Sequence, residues 1–285
     1  MPSLVPLAPV DYLVIGHLAK DLTPTGARLG GTAAYSALTA RALGLRVGVV
    51  TAWGREIPLG ALGGADGIAV SNIPTLHTTT FENVYTPQGR IQYVHFVAPP
   101  IETSHVPQEW RRPPIIHLGP IAQEVSPLLA DGFAPELLCL TPQGWLRTWD
   151  GDHRVIPCSW PKAQVALTKA AAAVISIEDV GGDEAQIEAM ALACRVLAVT
   201  EGPAGARLYW NGDLRRFRAP RIPEVDATGA GDIFAAAFFY RLYTTRDPWE
   251  AARFATRLAS FSVARPGLDG IPTQQEIQSS LVEVL

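Results

Sequence analysis

Short apolar runs recur along this chain at intervals long enough to hold a helix, and that rhythm limits the folds open to it more than any other feature. Asp11 to Gly16 (DYLVIG) closes on glycine, Thr32 to Leu43 is Ala/Leu-rich and stops before Gly44, and Arg46 to Thr51 (RVGVVT) reads as the next strand. Further runs fall at Ile115–Leu118, Leu137–Leu140, Val174–Ile177 and Val196–Thr200. Such β–α–β alternation predicts an α/β fold with a doubly wound, mostly parallel sheet flanked by helices. Asn-Gly-Asp at 211 to 213, between Ala206–Trp210 and Leu214–Phe217, predicts a hairpin. Two helices are expected to close the fold, Ala230 to Tyr243 and Pro248 to Val263, the second started by Asp247-Pro248.

One stretch breaks the rhythm. Between Thr75 and Val97 two β-prone segments flank Pro-Gln-Gly with partly alternating polarity, which predicts a small β-hairpin lid, or a flap that forms a homodimer. The expectation is one domain over residues 1–285 with 75–97 inserted. A net charge of −4 gives no basic face for nucleic acid, and no apolar stretch approaches the ~20 residues that span a bilayer. Residues 1 to 10 do not read as a secretory signal. Cys139, Cys158 and Cys194 form neither a paired nor a zinc-binding pattern, so free thiols in the cytoplasm are expected.

The segment richest in chemistry is Val225-Asp226-Ala227-Thr228-Gly229-Ala230-Gly231-Asp232, which runs straight into the apolar AAAFFYRL. Small residues let the backbone turn tightly into a helix whose first N–H groups, unpaired within the helix and aligned with its dipole, suit a phosphate. A carboxylate beside a phosphate repels it, so Asp232 needs a reason to be there; accepting a hydroxyl proton supplies one, whereas a plain helix cap is the simpler alternative. No G-x-x-x-x-G-K-[ST] loop is present, and no glycine fingerprint follows the first strand, which sets aside P-loop enzymes and dinucleotide oxidoreductases.

Two further segments sit at expected strand ends. Gly16-His17-Leu18-Ala19-Lys20-Asp21 leaves the first strand and Gly30-Gly31 precedes the first helix; Asp21 could grip paired hydroxyls while the glycines let backbone approach. Thr200-Glu201-Gly202-Pro203-Ala204-Gly205 is a glycine-rich turn placed to pass near a nucleotide.

Taken together and in this order, the three segments resemble the ribokinase (PfkB) family of carbohydrate and nucleoside kinases over nearly the whole chain. Val225 to Asp232 is similar to that family's D-T-x-G-A-G-D pattern, departing at Ala227, and Gly30-Gly31 with Leu43-Gly44 to its N-terminal glycine pair. The resemblance implies Asp232 as general base and an anion hole at Gly229, Ala230 and Gly231. It places Asp21, Gly30 and Gly31 at the substrate and Thr200, Gly202, Gly205 and Thr228 at the nucleotide. Mg2+ with ATP is implied as cofactor, with room for a monovalent cation, and the lid would cover a sugar or polyol. The family's N-x-x-E segment appears only as Ser176-Ile177-Glu178-Asp179, giving Asp179, with Glu178 as rival, to the metal. Tyr35 stands where sugar-kinase relatives often carry asparagine. His17-x-x-Lys20-Asp21, Phe81-Glu82-Asn83-x-Tyr85, Gln143-Gly144 and Arg265-Pro266-Gly267 are similar to a compact, inositol kinase-like branch, which adds Asn83, Gln143 and Arg147 as substrate-binding candidates. Trp53, Trp145, Trp149 and Phe96 are aromatics that either pack on a substrate ring or belong to the core. The alternatives are a nucleoside kinase and a non-catalytic regulator of the same fold.

Overall fold

The computed structural model describes residues 7–24, 26–54, 56, 59–62, 68–86 and 89–281. The chain begins with β1 (Tyr12–Ile15), β2 (Ala19–Thr23), β3 (Gly26–Gly30), α1 (Thr32–Ala42), β4 (Val47–Trp53) and β5 (Ile68–Pro74). The long hairpin β6 (Thr79–Thr86) and β7 (Gly89–Phe96) follows. Next come β8 (Ile115–Leu118), β9 (Leu137–Leu140), β10 (Arg147–Trp149), β11 (Val155–Pro157), α2 (Ala163–Lys169), β12 (Ala172–Ser176), α3 (Glu184–Ala193) and β13 (Val196–Thr200). The hairpin β14 (Ala206–Trp210) and β15 (Asp213–Phe217) precedes the closing helices α4 (Ala230–Thr245), α5 (Pro248–Ser262) and α6 (Gln274–Leu281).

Among the described residues the main sheet has nine strands in the order β15-β14-β13-β12-β9-β8-β1-β4-β5. From β13 to β5 all neighbours are parallel; β14 and β15 add an antiparallel edge. The order reverses at β1, which pairs with β4 on one side and β8 on the other, so a crevice opens at the carboxyl ends of these strands, where open α/β sheets take ligands. Apolar side chains of the sheet face two cores. One holds α4 and α5: Ile233 to Phe239 are all buried, so α4 is sheathed by protein around its circumference, as its nearly unbroken apolar sequence demands.

The hairpin expected between Thr75 and Val97 is present as β6 and β7, with its Pro87-Gln88 turn outside the described residues. It is one half of a larger element. β2 pairs antiparallel with β3 and parallel with β6, making a second, four-stranded sheet β3-β2-β6-β7. The segment that leaves the first strand thus becomes strand again from Ala19, and two chain excursions build the lid. Polar Lys20, Asp21 and Arg28 carry no alternating apolar signal; β2 is held as strand by β6 on one side, and β3 by β2. At β12 the strand begins two residues earlier than expected and yields Ile177 to a tight turn, because the Ser176 N–H donates to Asp179 Oδ2 (2.8 Å) and the Glu178 N–H to Ser176 Oγ (3.2 Å). Cys139 and Cys194 are buried, Cys158 is half-buried, and all three are free thiols. No helix among the described residues is long and apolar enough to cross a membrane.

A buried carboxylate ties the lid's root to the switch point. Glu124 is 3% exposed; its Oε1 accepts from the N–H of His17 (2.9 Å) and Ile121 (3.0 Å), and its Oε2 from Ala122 (2.6 Å). The His17 imidazole spans Thr79 Oγ1 (2.7 Å) and the Pro99 carbonyl (3.0 Å), and burial holds its pKa below the ordinary value. Replacing Glu124 with alanine leaves three buried donors without their acceptor, so Glu124→Ala is expected to cost about 3 kcal/mol in urea denaturation; a loss below about 1 kcal/mol would contradict this clasp.

Candidate active site

The turn that leads into α4 is built by Asp226. Its Oδ1 accepts the Thr228 N–H (2.9 Å) and its Oδ2 the Gly267 N–H (2.9 Å), which pins the small-residue loop to the segment after α5. Burial pushes this carboxyl up, but the bonds from Thr228 and Gly267 outweigh it and hold the pKa below the usual range. Gly229 then takes a left-handed conformation, φ +79°, as the N-cap of α4. Its Cα lies against the ring of Tyr35, which is 2% exposed: a Cβ added at Gly229 would stand 2.2 Å from Tyr35 Cε1. Glycine is required there twice over, by backbone angle and by space. The Ala230 N–H donates to the Ala227 carbonyl (3.2 Å), and the first intrahelical bond runs from Ile233 N–H to Gly229 (2.9 Å). The helix thus provides no internal acceptor for the N–H groups of Gly231 and Asp232.

Asp232 occupies the first turn, half-buried. Its pKa is pushed up to about 6, first by burial and then by the charges of Asp179 and Asp21; the Thr32 hydroxyl, which hydrogen-bonds it, and Arg147 act in the opposite direction. Such a carboxylate is ionised at neutral pH yet far more basic than one in water, as proton abstraction requires. Three carboxylates and one guanidinium therefore share this crevice. Asp179 is held by Gln143 Nε2 on Oδ1 (3.2 Å) and by the Ser176 N–H on Oδ2 (2.8 Å), and burial raises its pKa. Arg147 donates through Nε to the Ile121 carbonyl (2.7 Å) and through Nη1 to Gln92 Oε1 (3.0 Å), with its guanidinium 4.9 Å from the Phe81 ring centroid.

The lid contributes Asp21 and Asn83. Asp21 lies against Gly30, where a Cβ would fall 1.9 Å from Oδ2. Gly31 has φ +84° and a Cβ there would press on the His17 carbonyl at 2.9 Å, so both glycines let the lid strand turn back into α1 beside the carboxylate. Asn83 Oδ1 accepts from Gln92 Nε2 (3.1 Å). Of the four aromatics, Trp53 and Trp145 are core, Trp145 stacked on Trp160 at 4.9 Å between centroids. Trp149 packs with Phe81 and Val94 under the lid, and Phe96 meets His77 edge-on.

On the opposite side, Thr200 ends β13 in register with Ser176 of β12, so the glycine turn and Asp179 leave neighbouring strands at the same edge. Gly202 and Gly205 both have positive φ (+55° and +103°); a Cβ at Gly205 would strike the Phe217 carbonyl, whereas Gly202 borders open space. Glu178 points out to solvent. No cluster of three or more His, Cys, Asp or Glu suited to a metal is found among the described residues. Asp179, with both oxygens already accepting, fits a magnesium ion that arrives on phosphate oxygens and keeps its waters, not a resident metal cage.

Thr32, Glu124 and Gln92 are the polar residues here that sequence reading passed over. Thr32 had a signal, since it follows Gly30-Gly31 at a helix start. Glu124 and Gln92 had none, because the contacts that tie them to the site, with His17 and Arg147, span 107 and 55 residues.

Residues 159–274 match the pattern of the pfkB family of carbohydrate kinases. Ribokinase of Bacillus subtilis is 41% identical over 97 residues, 33% of this chain and 32% of that protein. The chain thus spans about a third of that relative. Cytidine kinase of Thermococcus kodakarensis is 28% identical over 250 residues, 80% of this chain and 87% of the other. Among solved structures, a pyrophosphate-dependent kinase of the ribokinase family, complexed with a pyrophosphate analogue and myo-inositol, superposes with a TM-score of 0.76 at 20% identity, covering 94% of this chain and 99% of the other.

The two helix-start glycines separate fold from chemistry. A Cβ on Gly231 meets nothing within 4 Å, so space for a side chain does not by itself require glycine there. Gly229→Ala is expected to lose more than about 2 kcal/mol through clash and φ strain, and Gly231→Ala to stay within about 0.5 kcal/mol of the parent. Paired urea titrations read the difference; equal losses would refute the Tyr35 contact as the constraint.

Proposed function

We propose that this chain is a member of the pfkB family of carbohydrate kinases, whose pattern its residues 159–274 match, and that it transfers the terminal phosphate of Mg-ATP to a hydroxyl of a sugar or cyclic polyol of inositol type. The observation that carries the reading is the placement of Asp232: a desolvated carboxylate with pKa near 6, in the first turn of a helix whose leading N–H groups suit a phosphate. In this reading the acceptor lies under the four-stranded lid against Asp21, Asn83, Gln143 and Arg147. The donor phosphates lie along Gly229, Ala230 and Gly231, with Thr228 and the Thr200, Gly202, Gly205 turn on the nucleotide side. Magnesium, held at Asp179 with Glu178 as the outer alternative, neutralises phosphate charge when bound.

The chain's own residues do the rest. Asp232 takes the proton of the acceptor hydroxyl as the new O–P bond forms and the nucleotide diphosphate departs on the far side. Arg147 and the helix start offset the charge on the group in transit. Because phosphoryl transfer depends on position and charge more than on covalent chemistry, a lid that excludes water protects the donor from hydrolysis. Exposed Val84 and the edge strand β3 support pairing of the lid with a second copy; light scattering giving a monomer at assay concentration would remove that part. Three free thiols support a reducing, cytoplasmic setting.

A nucleoside kinase is the second reading, favoured by the length of the cytidine kinase match. ADP release measured with myo-inositol, ribose, fructose and cytidine separates the two, and pyrophosphate in place of ATP, the donor in the solved structure named above, tests the donor. Asp232→Asn is expected to lower kcat by about 10²- to 10⁴-fold with the ATP Kd little changed. The folded-state pKa of Asp232 lies above its unfolded value, so the ionised group costs stability once pH exceeds the folded pKa. The neutral asparagine removes that cost, and the variant should gain of order 1–3 kcal/mol at pH 7.5. A variant that turns over at the parent rate would overturn the base assignment.

A further inference from the structure

The inner face of the lid carries a short relay of amides whose polarity can be read off one residue. Asn83 of β6 stands directly opposite Gln92 of β7, and the next pair along that face is Phe81 with Val94, both buried. Gln92 makes two contacts, Oε1 to Arg147 Nη1 (3.0 Å) and Nε2 to Asn83 Oδ1 (3.1 Å). A guanidinium has no acceptor, so the Gln92 atom that meets Arg147 must be its oxygen. The opposite end of the same amide is then its NH2, and the atom of Asn83 that receives it must be Oδ1. What remains on Asn83 is Nδ2, two N–H donors with no protein acceptor among the described residues. One arginine thus fixes the orientation of two amides in series.

Asp21 lies in register with Phe81 across β2 and β6, one pleat from Asn83 on the same face. It offers only acceptors when ionised. The lid therefore presents one donor group and one acceptor group side by side, a pairing suited to adjacent hydroxyls, one read through its lone pair and the other through its proton.

We propose that Gln92 is a positioning residue that locks Asn83 with its NH2 toward the acceptor substrate, so that Asn83 selects a substrate oxygen able to accept a hydrogen bond, with Asp21 taking the proton of a neighbouring hydroxyl. The proposal rests on the kinase reading for its substrate, while the amide orientation stands on the lid alone. Gln92→Glu is the decisive change. Glutamate still accepts from Arg147, but its second oxygen can only accept, so Asn83 must turn over, give its NH2 to Glu and present Oδ1 to the substrate. Gln92→Met adds no charge and releases Asn83 to either orientation.

The test is steady-state kinetics with Mg-ATP and the best acceptor among myo-inositol, ribose, fructose and cytidine. Gln92→Glu is expected to raise the acceptor KM by about tenfold or more, because a donor is replaced by an acceptor facing the same oxygen, with the ATP KM within about twofold. Gln92→Met should raise it less, by about two- to fivefold. Glu82→Gln, on the outer face of the lid beside His95, serves as the control and should leave both KM values within about twofold. An unchanged acceptor KM in Gln92→Glu, with an active parent, overturns the proposal. A second readout needs no turnover: in 15N-labelled protein the Asn83 side-chain NH2 pair, identified by its loss in Asn83→Asp, should shift in Gln92→Glu as it gains a carboxylate partner. If it stays in place the orientation is wrong. If it shifts while the parent phosphorylates none of the acceptors, the orientation stands and the kinase reading is what fails.

Discussion

A helix that is apolar around its whole circumference can only be buried, and the burial of α4 sets the terms for the site. Ile233 to Phe239 have no solvent face to turn outward, so the helix lies between the sheet and its neighbours with its start delivered to the carboxyl edge of the parallel strands. Its first turn contains Asp232. The same packing that stabilises the helix strips water from that carboxylate and raises its pKa. Core packing and base strength are consequences of one arrangement.

Around this fixed point the remaining residues fall into two groups. Asp226, Tyr35 and Gly267 hold the turn at Gly229, and Thr32, Asp179 and Arg147 adjust the charge on Asp232. Arg147 belongs to both body and lid, since it bonds Ile121 on one side and Gln92 on the other. Asp232 is thus electrically linked to the four-stranded sheet. Burying a carboxylate near two others is costly for the fold, and its persistence at this place is the kind of local conflict that marks function.

The parallel sheet was legible in the sequence because its strands are buried on both faces and read as unbroken apolar runs: Ile115–Leu118, Leu137–Leu140 and Val196–Thr200 begin and end where the sequence placed them. The small residues before α4 were legible for a related reason, since only glycine satisfies a left-handed turn against an aromatic ring. β2 and β3 were not, because Lys20 and Asp21 form strand through pairing with a hairpin some 60 residues later, which no local pattern records, and β3 is held in turn by β2. Glu124 and Gln92 escaped in the same way. Their meaning lies in partners brought together by topology, whereas Asp232 announced itself through its neighbours in the chain.

The central claim is that one carboxylate, made basic by burial, accepts the proton of the acceptor hydroxyl. The measurement that bears on it most directly is the pH dependence of kcat/KM for the best acceptor between pH 4.5 and 8, at saturating Mg-ATP. Since Asp232 must be ionised to act and its pKa lies near 6, activity should be level above pH 7 and fall below about pH 6 with unit slope. A profile that stays level down to pH 4.5, in protein that remains folded there, would contradict the account.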